Sequence, residues 1–189
     1  MNKRKARAPG QSALLLLDVV RWLVDADIGY AVIGAMAAAV HGSIRATTDA
    51  DALVAVSPDR LGALEKVFRK AGFGTELRRG DPDDPIGAVL LVGDRHGNRV
   101  DLLAGLRGLD PQVFARSITV PFQGGQLQVI GREDFIAMKC FAGGPQDIAD
   151  ARRALQDRDA PLDMDLLRRV TRRFGRAAVD VLEKVLATC

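Results

Sequence analysis

Three aspartates in this 189-residue chain stand where a carboxylate has work to do. Asp49 and Asp51 are two apart at the start of a strand-like run, Ala50 to Val56, so an extended backbone points both carboxylates to one face. Asp101 sits between Val100 and Leu102 inside a second such run, Asn98 to Leu103. Burying an unpaired carboxylate is costly, and two on one face repel each other; a cation beside them removes both penalties. Upstream, Tyr30 to Ile33 is a short buried-strand pattern that runs through Gly34-Ala35 into an alanine-rich helix ending near Gly42. A helix start beside a residue without a side chain presents free backbone N–H groups, a ready anion site. An anion cradle and a carboxylate pair on neighbouring strands is the arrangement needed to hold a nucleoside triphosphate and its divalent ions. A lone Asp-x-Asp also suits an edge strand or a helix cap; the glycine turn upstream favours the chemistry.

Other residues leave alternatives open. Arg45 can bind phosphate or merely neutralise Asp49. His41, before Gly42, suits a helix C-terminus better than a general base, and His96 falls in a hairpin turn, so neither suggests a metal ligand. Asp147 and Asp150, one helical turn apart, fit a polar lip over a nucleotide, a pair between Asp150 and Arg153, or a solvated surface. Cys140 is expected in the core. Arg168, Arg169, Arg172 and Arg173 form a basic helix stripe, which is usually a solvated face and otherwise a groove for an RNA backbone.

The elements that must position these residues follow from periodicity and breakers. Ser12, a plausible cap, opens a helix to about Asp27 with Leu14, Leu17, Val20, Leu23 and Val24 at helical spacing. Ser57-Pro58 starts a helix to Ala71 with Leu61, Leu64, Val67 and Phe68 on one face. Gly72 to Arg79 is a possible strand, Gly87 to Val92 and Asn98 to Leu103 flank a hairpin turn at 93–97, and shorter strands surround Gln123-Gly124-Gly125. After Gly131 the pattern turns helical: Glu133 to Phe141, Gln146 to Leu155, Asp163 to Phe174 and Arg176 to Leu186, separated at Gly143-Gly144-Pro145, Ala160-Pro161 and Gly175. The fold class is therefore α/β (α+β), a mixed-sheet core followed by a small C-terminal helical bundle. We divide the chain into a basic arm (1–11), a core (12–130) and a helical region (131–189).

Composition bounds the partners. With 27 basic against 24 acidic residues, the net charge of +3 is too small to imply nucleic acid by itself. Part of the excess is Lys3, Arg4, Lys5 and Arg7 ahead of Pro9-Gly10, more in keeping with a frayed arm than with a tether for a polyanion. Two cysteines without a CxxC pattern exclude zinc ribbons and secreted disulfide scaffolds. The apolar run from Ala13 to Leu17 stops at Asp18, too short for a secretory core or a membrane span, so a cytoplasmic protein without a membrane partner is expected.

The stretch IGAMAAAVHGSIRATTDADALV, with VDLL about fifty residues on, resembles the DNA polymerase β-like nucleotidyltransferase superfamily. Its signature is a strand, Gly-Gly or Gly-Ser, a helix, Asp-x-Asp, and a third Asp on a later strand. HGSIRATTDAD with EDFIAMKCFAGGPQDIADARRAL is more similar to the bacterial AbiEii-type toxins and related uncharacterised nucleotidyltransferases. The resemblance spans about Tyr30 to Leu155. It implies that Gly34 and Ala35 face the triphosphate, that Asp49, Asp51 and Asp101 bind Mg²⁺ (two ions), and that Asp101 also helps deprotonate the attacking hydroxyl. Lys139 and, from the following helix, Asp147 would attend the nucleotide, Lys139 on phosphate. The implied reaction moves a nucleoside monophosphate from an NTP to a hydroxyl on RNA (a tRNA 3′ end first), a protein or a small molecule such as an aminoglycoside, with a cognate antitoxin or toxin as a further partner. Two positions depart from the pattern: Ala35 stands where Gly or Ser is usual, and Gln146 where Lys usually precedes the Asp. Ala35 motivates the alternative, a nucleotide-binding regulatory or interaction protein with little or no turnover.

Overall fold

The computed structural model describes residues 5–44, 47–156 and 161–188. Helix α1 (Ser12–Asp25) precedes strand β1 (Tyr30–Val32), helix α2 (Gly34–Val40) and strand β2 (Asp49–Val54). A 3-10 turn at Pro58–Arg60 opens α3 (Leu61–Lys70), and β3 (Gly74–Arg79), β4 (Ile86–Gly93) and β5 (Arg99–Leu106) follow as a meander. After a second 3-10 turn at Pro111–Val113, β6 (Ile118–Phe122) and β7 (Gly125–Val129) form a hairpin, and α4 (Arg132–Ala142), α5 (Pro145–Gln156), α6 (Met164–Arg173) and α7 (Arg176–Leu186) complete the chain. All seven strands join one mixed sheet in the order β3-β4-β5-β2-β1-β7-β6. Only β2–β5 and β1–β7 are parallel. The expected α/β class, with a C-terminal set of helices, is the observed one.

Alternation along the strands divides the sheet into two faces. Ala50, Ala52, Val100, Leu102, Leu90 and Val92 are fully enclosed. Helix α1 packs on β2, β5 and β7, and α3 on β3 and β4. In the C-terminal part α4 is the hub, touching α5, α6 and α7, and it buries Phe135, Ile136, Ala137 and Cys140. Leu167, Val170, Leu182 and Val185 belong to the same hydrophobic cluster as the sheet residues, so the helical region shares its core with the sheet. No described helix is long and apolar enough to cross a membrane.

Two local expectations are corrected, and a third holds with added detail: His41 is the C-cap of α2, as its place before Gly42 implies. The buried stripe of α1 is Leu15, Leu16, Val19, Val20 and Leu23, while Leu14 and Leu17 are half-buried and Val24 is exposed. Four consecutive leucines allow two adjacent helical stripes, and the polar neighbours Asp18 and Arg21 select the one facing the sheet. Ser12 is the first helical residue and does not cap; its hydroxyl donates to the Thr48 carbonyl (2.5 Å) and accepts from the Arg99 amide (3.1 Å). That one side chain ties the entries of β2 and β5 together. His41 is buried, with Nε2 at 2.8 Å from the Ile130 carbonyl and its ring against Phe135, so it ties α2 to the sheet edge and the start of α4.

The described part of the arm lies against the β4–β5 turn. Asn98 Nδ2 donates to the Ala8 carbonyl (2.9 Å), and Asn98 Oδ1 accepts from the Gln11 amide (2.6 Å).

Candidate active site

Strands β2 and β5 run parallel in a register that sets Asp51 beside Asp101 and Asp49 beside Arg99. Their alternate partners point into the core, so these four polar side chains share the opposite face. A one-residue slip would exchange the sets, and the apolar side of both strands forbids it.

The turn from β1 into α2 is fitted to Asp51. The Ile33 amide donates to the Asp51 carbonyl (2.9 Å), which fixes where β1 ends. Gly34 has φ +62°, in the left-handed region, and a Cβ there would lie 2.2 Å from Asp51 Oδ2. Only glycine satisfies both conditions. Ala35 is buried behind it. Thr47 holds the entry of β2, its hydroxyl donating to the Asp49 carbonyl (3.0 Å) and accepting from the Asp49 amide (3.2 Å). Arg45 lies outside the described residues.

Among the described residues, the acidic face carries more negative charge than the cations around it balance. Burial pushes Asp51 up to about 6; the Asp101 and Asp49 carboxylates push the same way, and Arg99 and Lys139 only partly oppose them. Asp101 is also raised, by burial first, with Arg99 opposing and Asp49 adding. The balancing cation at hand is Arg99, with Nε at 3.0 Å from Asp101 Oδ1 and a terminal nitrogen at 3.8 Å from Asp49 Oδ2. Asp101 Oδ1 is shut off from solvent and receives no well-aligned hydrogen bond.

A second cluster lies where α4 meets α5. Lys139 Nζ is 2.8 Å from Asp147 Oδ1 and 3.0 Å from Asp150 Oδ2. Asp150 is completely buried, and its Oδ1 accepts from the Ser43 hydroxyl (2.7 Å) and from Gln146 Nε2 (3.1 Å). Burial alone would raise Asp150, but these hydrogen bonds and the Lys139 charge reverse the sign and hold it below the usual carboxylate range. Asp150 is thus neither paired with Arg153 nor solvated; it takes a placement the sequence reading did not offer, a buried salt bridge with Lys139. Gln146 points its amide to the same carboxylate. Lys139 lowers Asp51 electrostatically, so the two clusters are neighbours.

The basic stripe of α6 is divided. Arg173 hydrogen-bonds the Gly108 and Leu109 carbonyls, Arg168 approaches Glu183, and Arg169 and Arg172 are exposed. His96 sits in the β4–β5 turn, its amide donating to Asp94.

Of the residues singled out by sequence, Gly34, Ala35, Asp49, Asp51 and Asp101 meet at the ends of β1, β2 and β5, with Lys139 and Asp147 on the neighbouring helices. Sequence reasoning missed Arg99, although its position two residues before Asp101 puts it on the same face. It also missed Ser43, which nothing local distinguishes from a loop serine.

The donor chemistry suits a hard divalent cation: carboxylate oxygens side by side, half-buried and short of positive charge. As the side chains stand, no three potential ligands among the described residues are gathered tightly enough to hold a metal, and Asp49 leans to Arg99 instead.

No protein-family model matches the sequence, and no curated protein matches it. Solved structures do match. The solution structure of the antibiotic-resistance factor ANT(2″)-Ia superposes with a TM-score of 0.57 at 15% identity, covering 95% of this chain and 98% of the other. The crystal structure of the same enzyme with adenylyl-2″-tobramycin gives 0.53 at 14%, covering 87% and 96%. An antigenic nucleotidyltransferase-like protein from Paracoccidioides brasiliensis gives 0.54 at 14%, covering 94% and 87%. These likenesses in shape, at low identity, assign the fold: the chain is built as these nucleotidyltransferases are.

Proposed function

We propose that the protein is a Mg²⁺-dependent nucleotidyltransferase that moves a nucleoside monophosphate from an NTP to a hydroxyl acceptor and releases pyrophosphate. The observation that carries this reading is the registration of Asp51 beside Asp101, with Gly34 stripped of a side chain against Asp51. Asp49, Asp51 and Asp101 would hold Mg²⁺, which supplies charge stabilisation to the oxygens entering and leaving the α-phosphate. Asp101 accepts the proton of the attacking hydroxyl. The acceptor oxygen bonds to the α-phosphorus as the bond to the β-phosphate oxygen breaks. Gly34 and Ala35 let the triphosphate approach the backbone, and Arg45 and Lys139 add positive charge, with Asp147 orienting Lys139.

RNA, a tRNA 3′ end first, is the acceptor suggested by the AbiEii-like motif, and with it a place in a toxin–antitoxin pair. A small hydroxylated molecule is the second reading, favoured because Arg168 and Arg173 are engaged within the chain and leave a thinner basic stripe. The fold match over nearly the whole length of ANT(2″)-Ia, a structure of which holds adenylyl-2″-tobramycin, agrees with it.

Incubation with each NTP labelled at the α-phosphate, Mg²⁺, and either total RNA or a panel of aminoglycosides tests both. Label on one pool, lost in Asp51→Asn, is the expected result. Mg²⁺-dependent NTP binding without product would instead favour the regulatory protein that Ala35 suggests.

A further inference from the structure

Arg99 occupies the position a cation should hold. It is matched in register to Asp49, its guanidinium spans Asp49 and Asp101, and no other cationic side chain among the described residues has an ion pair with either carboxylate. The guanidinium thus stands between two of the three carboxylates, and no three potential ligands among the described residues are gathered around a common point. The longer contact, to Asp49, joins two half-exposed side chains and contributes at most about 1 kcal/mol, while the shorter one, to the less exposed Asp101, is the contact that metal must displace. A cleft next to the site, lined by Glu76, Asp94, Gly93, Asn98 and Arg99 itself, gives the side chain room to turn, with Glu76 already paired to Arg78 and Asp94 as the further carboxylate. Gly74 and Gly93, paired across β3 and β4, keep its floor low.

We propose that Arg99 is the resident counter-cation of the acidic face and competes with the divalent ion for Asp49 and Asp101, so that metal loading requires the guanidinium to swing away. This rests on the metal-dependent reading above, and it assigns Arg99 as a positioning residue that sets how tightly the metal binds before nucleotide arrives. A fixed guanidinium and a divalent ion cannot share the same two oxygens, since their charges repel at contact distance.

The test is Mn²⁺ binding by the full chain without nucleotide, followed by electron paramagnetic resonance. Arg99→Met is expected to bind Mn²⁺ several-fold more tightly than the wild type, and guanidinium ion at sub-denaturing concentration should weaken binding by the variant more than by the wild type. Arg99→Lys, whose single ammonium cannot span both carboxylates, should fall between the two and covers the case in which the methionine variant does not fold. Equal or weaker Mn²⁺ binding by a folded variant, with binding in the wild type abolished by Asp51→Asn, overturns the role of Arg99 and leaves the metal site standing. Absence of Mn²⁺ binding in every form overturns both.

Discussion

The acidic face of the sheet and the Lys139 cluster are both built from aspartates and one cation, yet they are opposites. On the sheet, the half-exposed Arg99 is the one cation among the described residues that pairs with Asp49 and Asp101, and Asp51 is driven up to about 6 by burial and by its neighbours. Between α4 and α5, one lysine serves two aspartates, and Asp150 is further satisfied by Ser43 and Gln146, so that it is lowered despite complete burial. The first cluster is short of positive charge and the second supplies its own. Unbalanced carboxylates on a sheet are the arrangement on which the proposed cation site rests, whereas charge balanced inside a helix junction also serves to join the helices.

Substitutions of single aspartates break this contrast most directly. In the transfer assay Asp51→Asn should lower the rate by more than about a hundredfold, because it removes a carboxylate from the reacting centre. Asp150→Ala should cost about 3 kcal/mol in denaturant unfolding, since Lys139 keeps only the partly exposed Asp147 and the Ser43 hydroxyl loses its acceptor. The stability effect of Asp51→Asn should have the reverse sign. The folded chain holds the Asp51 proton more tightly than the unfolded chain, so ionised Asp51 opposes folding, and its effect grows as pH rises from about 4 and is complete above about 6. Thermal and denaturant melts above about pH 7 without metal should therefore show the asparagine variant more stable by up to about 3 kcal/mol, the gain vanishing near pH 4. Identical pH profiles for the two proteins would show the acidic face to be as balanced as the other cluster.

Smaller effects sharpen the same comparison. Gly34→Ala should destabilise by about 1–2 kcal/mol for its positive φ alone, and by moving Asp51 it should impair transfer more than folding. Ser12→Ala removes the bridge between the Thr48 carbonyl and the Arg99 amide at a cost of about 1 kcal/mol, read as a lower denaturant midpoint.

The sequence announced the acidic face far better than the joint. Asp49 and Asp51 advertise a shared face by their spacing, and Gly34 marks the turn by the absence of a side chain, because strand alternation and glycine's backbone freedom are local properties. That Asp51 and Asp101 lie side by side is a fact of register between strands about fifty residues apart, which the motif resemblance implied and periodicity could not. Asp150 was ambiguous because its partners, Ser43 and Lys139, arrive from distant elements. The α1 stripe differs for a local reason: leucine at every position from 14 to 17 fits two adjacent stripes, and only the polar Asp18 and Arg21 tell them apart.

The register of β2 against β5 has a consequence for what the chain can tolerate. Moving β5 by two residues keeps every apolar side chain on its own face, so the core would accept it, but Arg99 would then stand beside Asp51 and the site would close into an ordinary salt bridge. The turn at 94–98 sets β5 against β4, while Ser12, bonded to the Thr48 carbonyl and the Arg99 amide, and Asn98, anchored to the N-terminal arm, hold the start of β5 level with the start of β2. Insertions in the 94–98 turn should silence the protein without unfolding it, while insertions at the β6–β7 turn should be borne with far less harm. The hairpin is a ruler as well as a connection.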